Sequence, residues 1–160
     1  MEKAVALDHI APHLPERLDL LIITHFDKDH VGGADKILEN IEVARVLEPD
    51  YDKDSKQYRQ YREALEEQGV AAEALSQNTS FTLGGCEFSI DVANEDDYGE
   101  DEENDFSLVV RLTHGNARFL FAGDAENARL AELLDEGDLA SDVLKVPHHG
   151  RYADLSAAFF

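Results

Sequence analysis

Between positions 25 and 30 the chain places two imidazoles and two carboxylates within six residues: His25-Phe26-Asp27-Lys28-Asp29-His30. Imidazole and carboxylate donors without thiolate suit Zn²⁺, Mn²⁺ or Fe, and they do not point to a structural zinc. A tight loop cannot direct all four groups at one ion. It can divide them between two neighbouring ions. Two further polar clusters lie far along the chain, Gly123-Asp124 and His148-His149-Gly150. The two carboxylate oxygens of Asp124 suit a bridge between two ions, and either His149 or His148 can complete the second site. Two divalent ions would bring about +4 of charge and offset the crowding of Asp27, Asp29 and Asp124.

Each cluster directly follows an apolar run. Leu18–Thr24 reads as a buried, parallel strand leading to His25; Phe119–Ala122 leads to Gly123-Asp124; Asp142–Val146 is a last strand leading to the histidine pair. Ligands gather at strand ends on one rim of a layered α/β domain, so parallel strands would bring the three clusters together. Around them the pattern predicts a helix over 3–17 and another opened by Gly32-Gly33 through Asn40. A strand over Val43–Leu47 is stopped by Pro49. A helix over 53–68 carries Tyr58, Tyr61 and Leu65 at helical spacing, with Gly69 as its C-terminal cap. Two hairpins follow, Phe81–Leu83 with Cys86–Val92 and Phe106–Thr113 with Arg118–Ala122, and then a helix at about 125–135. Residues 94–105 hold eight acids and no base, and read as a solvated loop insertion. Helices and strands alternate without a dividing linker, so residues 1–160 are expected to form a single α/β domain.

The composition sets bounds. The 160 residues carry 35 acidic and 14 basic side chains, a formal charge of −21. That balance argues against a surface built for nucleic acid, whose phosphates are normally met by Lys and Arg. A strongly acidic, lysine-poor surface is what a protein of a high-salt cytoplasm carries, because concentrated salt screens its self-repulsion. The single cysteine, Cys86, excludes an internal disulfide framework and a four-cysteine zinc site. No apolar run approaches the ~18 residues of a membrane span, and Met1-Glu2-Lys3-Ala4 opens no secretory signal, so a cytoplasmic protein is expected.

With these residues in place the chain resembles the metallo-β-lactamase-fold hydrolases. That family has a His-x-His-x-Asp-His loop, against His25-x-Asp27-x-Asp29-His30 here. Asp27 in place of the second His, with Val31-Gly32-Gly33 following His30, is similar to the branch that contains the soluble domain of the competence DNA-uptake protein ComEC. Phe106–Leu112, Phe119–Asp124 and Leu144–Gly150 match that branch too, so the resemblance spans about residues 8–152. It implies an αββα sandwich with a dinuclear site at one edge, holding two divalent metal ions, Zn or Mn. By position, His25 and Asp27 would serve one metal, Asp29, His30 and His149 the other, with Asp124 between them. Asn104 falls where the branch usually has a histidine ligand, and neighbouring Asp105 is the alternative. The family's N-terminal strands, ending in Asp-x-Gly, have no counterpart before the metal loop, the segment after Gly150 is short, and Arg151 replaces the usual Ser. The domain is therefore expected to be incomplete at both ends, with a partner chain or second copy covering apolar faces.

The expected activity is that of a metal-dependent hydrolase using a metal-activated water, on a small phosphodiester or DNA rather than a β-lactam. Asp29 is expected to orient the nucleophile as well as bind metal, and His148 is the candidate general acid for the leaving group. The rival expectation is a non-catalytic metal-binding fragment that needs a partner chain to complete the domain.

Overall fold

The structure, a computed structural model, describes residues 15–94, 98 and 103–160. The chain divides into two compact units, one through Ala74 and one from Leu75. The helix expected over 3–17 falls almost wholly outside the described residues, and Arg17, at its end, is already in a strand.

In the N-terminal unit the expected single strand over 18–24 is two short strands. β1 (Arg17–Leu18) pairs in parallel with β3 (Glu42–Val43), and β2 (Leu21–Ile22) in parallel with β4 (Val46–Pro49). β5 (Ala72–Leu75), which the sequence pattern did not suggest, lies on the other side of β4. Parallel neighbours need a crossover. It is supplied by a short helix α1 (Lys28–Val31) and by α2 (Ala34–Asn40), which starts after Gly33. The long helix α3 (Lys56–Gln68) is set at both ends by local chemistry. Ser55 Oγ accepts the Tyr58 N–H at 3.1 Å, an N-cap. Gly69 takes a left-handed φ of +65°, which lets the Val70 N–H close on the Leu65 carbonyl at 3.0 Å. Its buried face, Tyr58, Tyr61, Ala64 and Leu65, packs with Ile23, Phe26, Val31, Leu38 and Val46 into one core.

Glu48 of β4 is buried beside that core. It accepts from the Tyr61 hydroxyl and from the Arg62 guanidinium, each at 2.7 Å. Burial and this carboxylate push the Tyr61 hydroxyl far above its usual range, and Tyr58, which donates to Asp52, is pushed up to about 12. Both phenols therefore stay protonated donors at neutral pH.

The C-terminal unit is a five-stranded sheet in the order β10-β9-β8-β7-β6. β6 (Thr79–Leu83) and β7 (Cys86–Asp91) form a hairpin over Gly84-Gly85, both at positive φ, as a two-residue turn that matches strand twist requires. β8 (Val109–His114) and β9 (Ala117–Phe121) form the next, and α4 (Asn127–Glu136) crosses over to β10 (Val143–Lys145), which runs parallel to β9. A last turn of helix, α5 (Ser156–Phe159), packs Phe159 against Val109, Leu120, Leu130 and Leu133. Full burial of Leu130 and Leu133 contributes about 1.5–3 kcal/mol each.

The acidic stretch is not solvated throughout. Tyr98 is buried, its hydroxyl donating to Glu132 at 2.5 Å and its ring standing edge-on to Phe106. Glu103–Phe106 is a 3-10 turn with Asp105 buried. Asp105 Oδ1 accepts the backbone N–H groups of Glu126 and Arg129 at 2.7 and 3.2 Å, satisfying the exposed end of α4. The remaining acids of the expected loop, Glu95, Asp96, Asp97, Glu100, Asp101 and Glu102, lie outside the described residues.

Beneath α4, Arg129 is fully buried against Asp91 and Glu132. Glu136 shares this network. A hydrogen bond to Asp91, and then burial, hold its carboxyl above the usual range. A carboxyl raised in this way favours the fold while protonated, fully so below its unfolded value near 4.5, and that contribution is lost as pH rises through the folded value. Glu136→Gln keeps a neutral group at every pH. It is expected to raise the Tm above wild type at pH 7 and to lose that advantage near pH 4. Thermal melts at the two pH values check this; an equal shift at both would contradict it.

Candidate metal centre

In the N-terminal unit the residues after β2 are anchored by aromatic packing. Phe26 is fully buried, its ring 4.6 Å from that of Tyr58 and 4.8 Å from that of Tyr51, and the Tyr51 hydroxyl accepts the Phe26 N–H at 3.0 Å. This fixes the residues on either side. His25 is fully buried, its Nδ1 3.1 Å from Thr24 Oγ1 and its ring 4.0 Å from the ring of His30. The two imidazoles foreseen as ligands are therefore side by side. Asp27 precedes α1, and its carbonyl accepts the N–H groups of His30 and Val31. Its carboxylate is ion-paired with Lys53. Asp29 and His30 were expected on a loop. They sit on α1 instead, Asp29 exposed and His30 half-buried. A run of charged residues gives no apolar period, so the sequence hid this turn of helix.

Gly32 ends α1 where the backbone doubles back. A Cβ at this position would stand 2.1 Å from the Lys28 carbonyl oxygen, a backbone atom that cannot move alone. Gly32→Ala is expected to shift α1, with Asp29 and His30, and to weaken metal affinity at least tenfold with little loss of the α3 core. Metal titration by calorimetry, alongside a thermal melt, checks this; unchanged affinity would contradict it.

In the C-terminal unit Gly123-Asp124 follows β9. Asp124 is buried, and its backbone N–H donates to Ser107 Oγ at 3.0 Å. Its carboxylate meets two cation-capable groups. Oδ1 lies 3.2 Å from Lys145 Nζ and Oδ2 lies 3.1 Å from His149 Nε2. Lys145 also donates to the Gly123 carbonyl at 2.6 Å. The choice between the paired histidines is thereby made for this unit. His149 is on Asp124, whereas His148 gives its Nδ1 to Glu126 at 2.8 Å. Both have left-handed backbones, φ +43° and +52°, which turns two consecutive side chains out of one tight Pro147–Gly150 turn. Asn104 donates to the same Glu126 oxygen at 3.1 Å. Of the two alternatives for the third motif, Asn104 donates to Glu126, and Asp105 accepts from the backbone at the start of α4. Ser107 and Glu126 went unnoticed in the sequence, because one acts on a backbone N–H and the other on a histidine ring, and neither role leaves a spacing signature.

The donor set fits a divalent metal. A carboxylate as buried as Asp124 needs a positive partner; the Lys145 ammonium stands beside one oxygen, and the His149 imidazole offers a nitrogen 3.1 Å from the other. Asp29 and His30 in the N-terminal unit, and Asp124 and His149 in the C-terminal unit, are carboxylate and imidazole residues of the kind that ligate such an ion.

Residues 13–159 match the Metallo-beta-lactamase superfamily, and the chain belongs to that family. It is 29% identical over 145 residues to "ComE operon protein 3" of Bacillus subtilis, covering 90% of this chain and 18% of that protein. It is 28% identical over 153 residues to "Recombination protein 2" of Haemophilus influenzae, covering 92% of this chain and 17% of that one. The chain thus spans less than a fifth of the length of either relative. Among solved structures, the metallo-beta-lactamase fold protein YhfI of Bacillus subtilis aligns with a TM-score of 0.59 at 14% identity, over 88% of this chain and 55% of that one. The diiron beta-hydroxylase CmlA of Streptomyces venezuelae aligns with a TM-score of 0.56 at 20% identity, over 83% and 26%. The ComEC-like resemblance and the metallo-β-lactamase fold read from the sequence are borne out. Membership supports a metal-dependent hydrolase in general. No described helix is long and apolar enough to cross a membrane.

Proposed function

We propose that the chain is a metal-dependent phosphodiesterase. Divalent ions, Zn or Mn, would be held by Asp124 and His149 of the C-terminal unit and by His25, Asp27, Asp29 and His30 of the N-terminal unit. The observation that carries this reading is the buried Asp124 carboxylate, placed between a lysine and a histidine and held from behind by Ser107. When bound, such ions would supply an activated water at neutral pH and would offset charge developing on the phosphoryl oxygens. The chain's own residues do the rest. Asp29 orients the nucleophile. His148, with Nδ1 given to Glu126, presents Nε2 as the proton donor to the leaving oxygen, so that oxygen departs as a neutral hydroxyl. The preference for phosphodiesters follows from the resemblance of the motifs to the ComEC branch, and DNA is one such substrate. The acidic surface is read as adaptation to high salt.

The test is hydrolysis of bis(4-nitrophenyl) phosphate and of single-stranded DNA with Mn²⁺ or Zn²⁺ in concentrated KCl. Turnover that requires metal and is lost in His30→Ala supports the proposal. Turnover unchanged in His30→Ala overturns it. Metal retained without turnover, restored by a second polypeptide, would favour the rival reading of a fragment completed by a partner.

A further inference from the structure

Seven of the eight arginines stand within 3.8 Å of a carboxylate. Among the described residues Arg151 is the one without such a partner, in a chain with 35 acids to 14 bases. Where acids are so abundant, an arginine left unpaired keeps its guanidinium fork available to an outside anion. Next to it, Tyr152 is 73% exposed, the most exposed large hydrophobic residue among those described. Both line a cavity of about 210 Å³ in the C-terminal unit, together with Glu126, Leu130, Pro147 and His148. That is roughly seven waters' share of liquid volume, room for a planar ring rather than a length of polymer. The Glu126 carboxylate is already engaged by His148 and Asn104. Asp154 also lines the cavity, but it is exposed, where screening is strongest. Arg151 is the cation left to receive a ligand there, and Tyr152 the flat apolar face.

We propose that this cavity is a subsite for the nucleotide on the leaving-group side of the scissile bond: Arg151 holds its next phosphate and Tyr152 stacks its base. The proposal rests on the phosphodiesterase reading, because His148, the proton donor in that reading, forms one wall of the cavity. It makes the substrate a single-stranded oligonucleotide rather than an isolated diester. Arginine meets a phosphate through paired N–H donors, and an aromatic ring stacks any base, so the subsite is indifferent to sequence.

The experiment measures binding of labelled hexathymidylate by fluorescence anisotropy across a KCl series. It uses the full chain and its variants Arg151→Ser, Arg151→Lys, Tyr152→Ala and Tyr152→Phe. Arg151→Ser is expected to weaken binding about tenfold and to flatten the slope of log K against log salt by about 0.7, the signature of one lost single-strand phosphate contact. Arg151→Lys restores the slope with only part of the affinity. Tyr152→Ala weakens binding about tenfold at unchanged slope, and Tyr152→Phe binds as wild type does. Both residues are exposed, so the variants are expected to fold, and thermal melts confirm it. The subsite is overturned if the wild-type chain does not bind hexathymidylate, or if Arg151→Ser leaves both affinity and slope unchanged. A chain that binds in the expected pattern but hydrolyses neither DNA nor bis(4-nitrophenyl) phosphate keeps the subsite and loses the phosphodiesterase reading. A chain that hydrolyses the small diester but shows none of these binding changes loses the subsite alone.

Discussion

Asp124→Asn is expected to abolish tight metal retention and to slow phosphodiester turnover by on the order of 10³-fold, about 4 kcal/mol of barrier. The substitution changes almost no volume. It removes the negative charge that pairs with Lys145, lies 3.1 Å from the His149 ring nitrogen and, in the proposed centre, would help to hold the metal. An amide offers a metal one weak oxygen in place of two charged ones. The apo fold is expected to survive, because Lys145 is one-third exposed and can turn to water, and because the Ser107 contact is to the Asp124 backbone and not to its side chain. Metal content after dialysis, turnover and a thermal melt together check the expectation. Wild-type metal content in the variant would remove Asp124 from the centre.

The second large effect is on stability. Arg129→Met is expected to cost about 3 kcal/mol, because it takes from the buried Asp91 carboxylate its fully buried guanidinium and leaves it the longer contact to the half-buried Arg111 at 3.4 Å. For a chain of this size that is a fall in Tm of about 10 °C. Burial by itself pushes Asp91 up; the hydrogen bond from Glu136 and the Arg129 charge together hold it below its ordinary value. Stability gained from a depressed carboxyl is present above its unfolded value near 3.8 and is lost as pH falls through the folded one. The gap between wild type and variant is therefore expected to be widest near neutral pH and to narrow in acid. Pairing Arg129→Met with Asp91→Leu removes both charges and is expected to recover most of the loss. Denaturant unfolding of the single and double variants checks this; a double variant as unstable as the single would show that Arg129 acts through Glu132 or packing instead.

How far the sequence revealed the molecule depended on whether the determining interaction was local. Helix α3 was legible because its apolar spacing and its closing glycine lie close together in the chain; its start, expected at 53, falls at Lys56 behind the Ser55 cap, which the reading did not use. The Gly84-Gly85 hairpin was legible because a two-residue turn dictates its own residue types. The position of Asp124 immediately after β9 was legible for the same reason. What escaped notice depends on partners distant in the chain. Arg129 looks like a surface residue on an amphipathic helix until Asp91, 38 positions away, is placed against it. Asp105 looked like part of an acidic loop until α4 supplied two backbone donors for its carboxylate. Leu18–Thr24 read as one strand because hydropathy cannot register that its two halves pair with different neighbours, β3 and β4. The metal-ligand candidates themselves were legible, since imidazole and carboxylate are recognisable by type. Which of His148 and His149 meets Asp124 was not, because two adjacent left-handed residues send their rings in directions no spacing rule anticipates.

That pair of left-handed histidines carries a consequence for descent. Each occupies a backbone state that glycine or asparagine adopts at lower cost, the penalty for other residues being about 1–2 kcal/mol apiece. Drift toward greater robustness alone would be expected to erase them. A lineage released from handling metal should lose these two positions early, to glycine or asparagine, and should gain thermal stability as it does so.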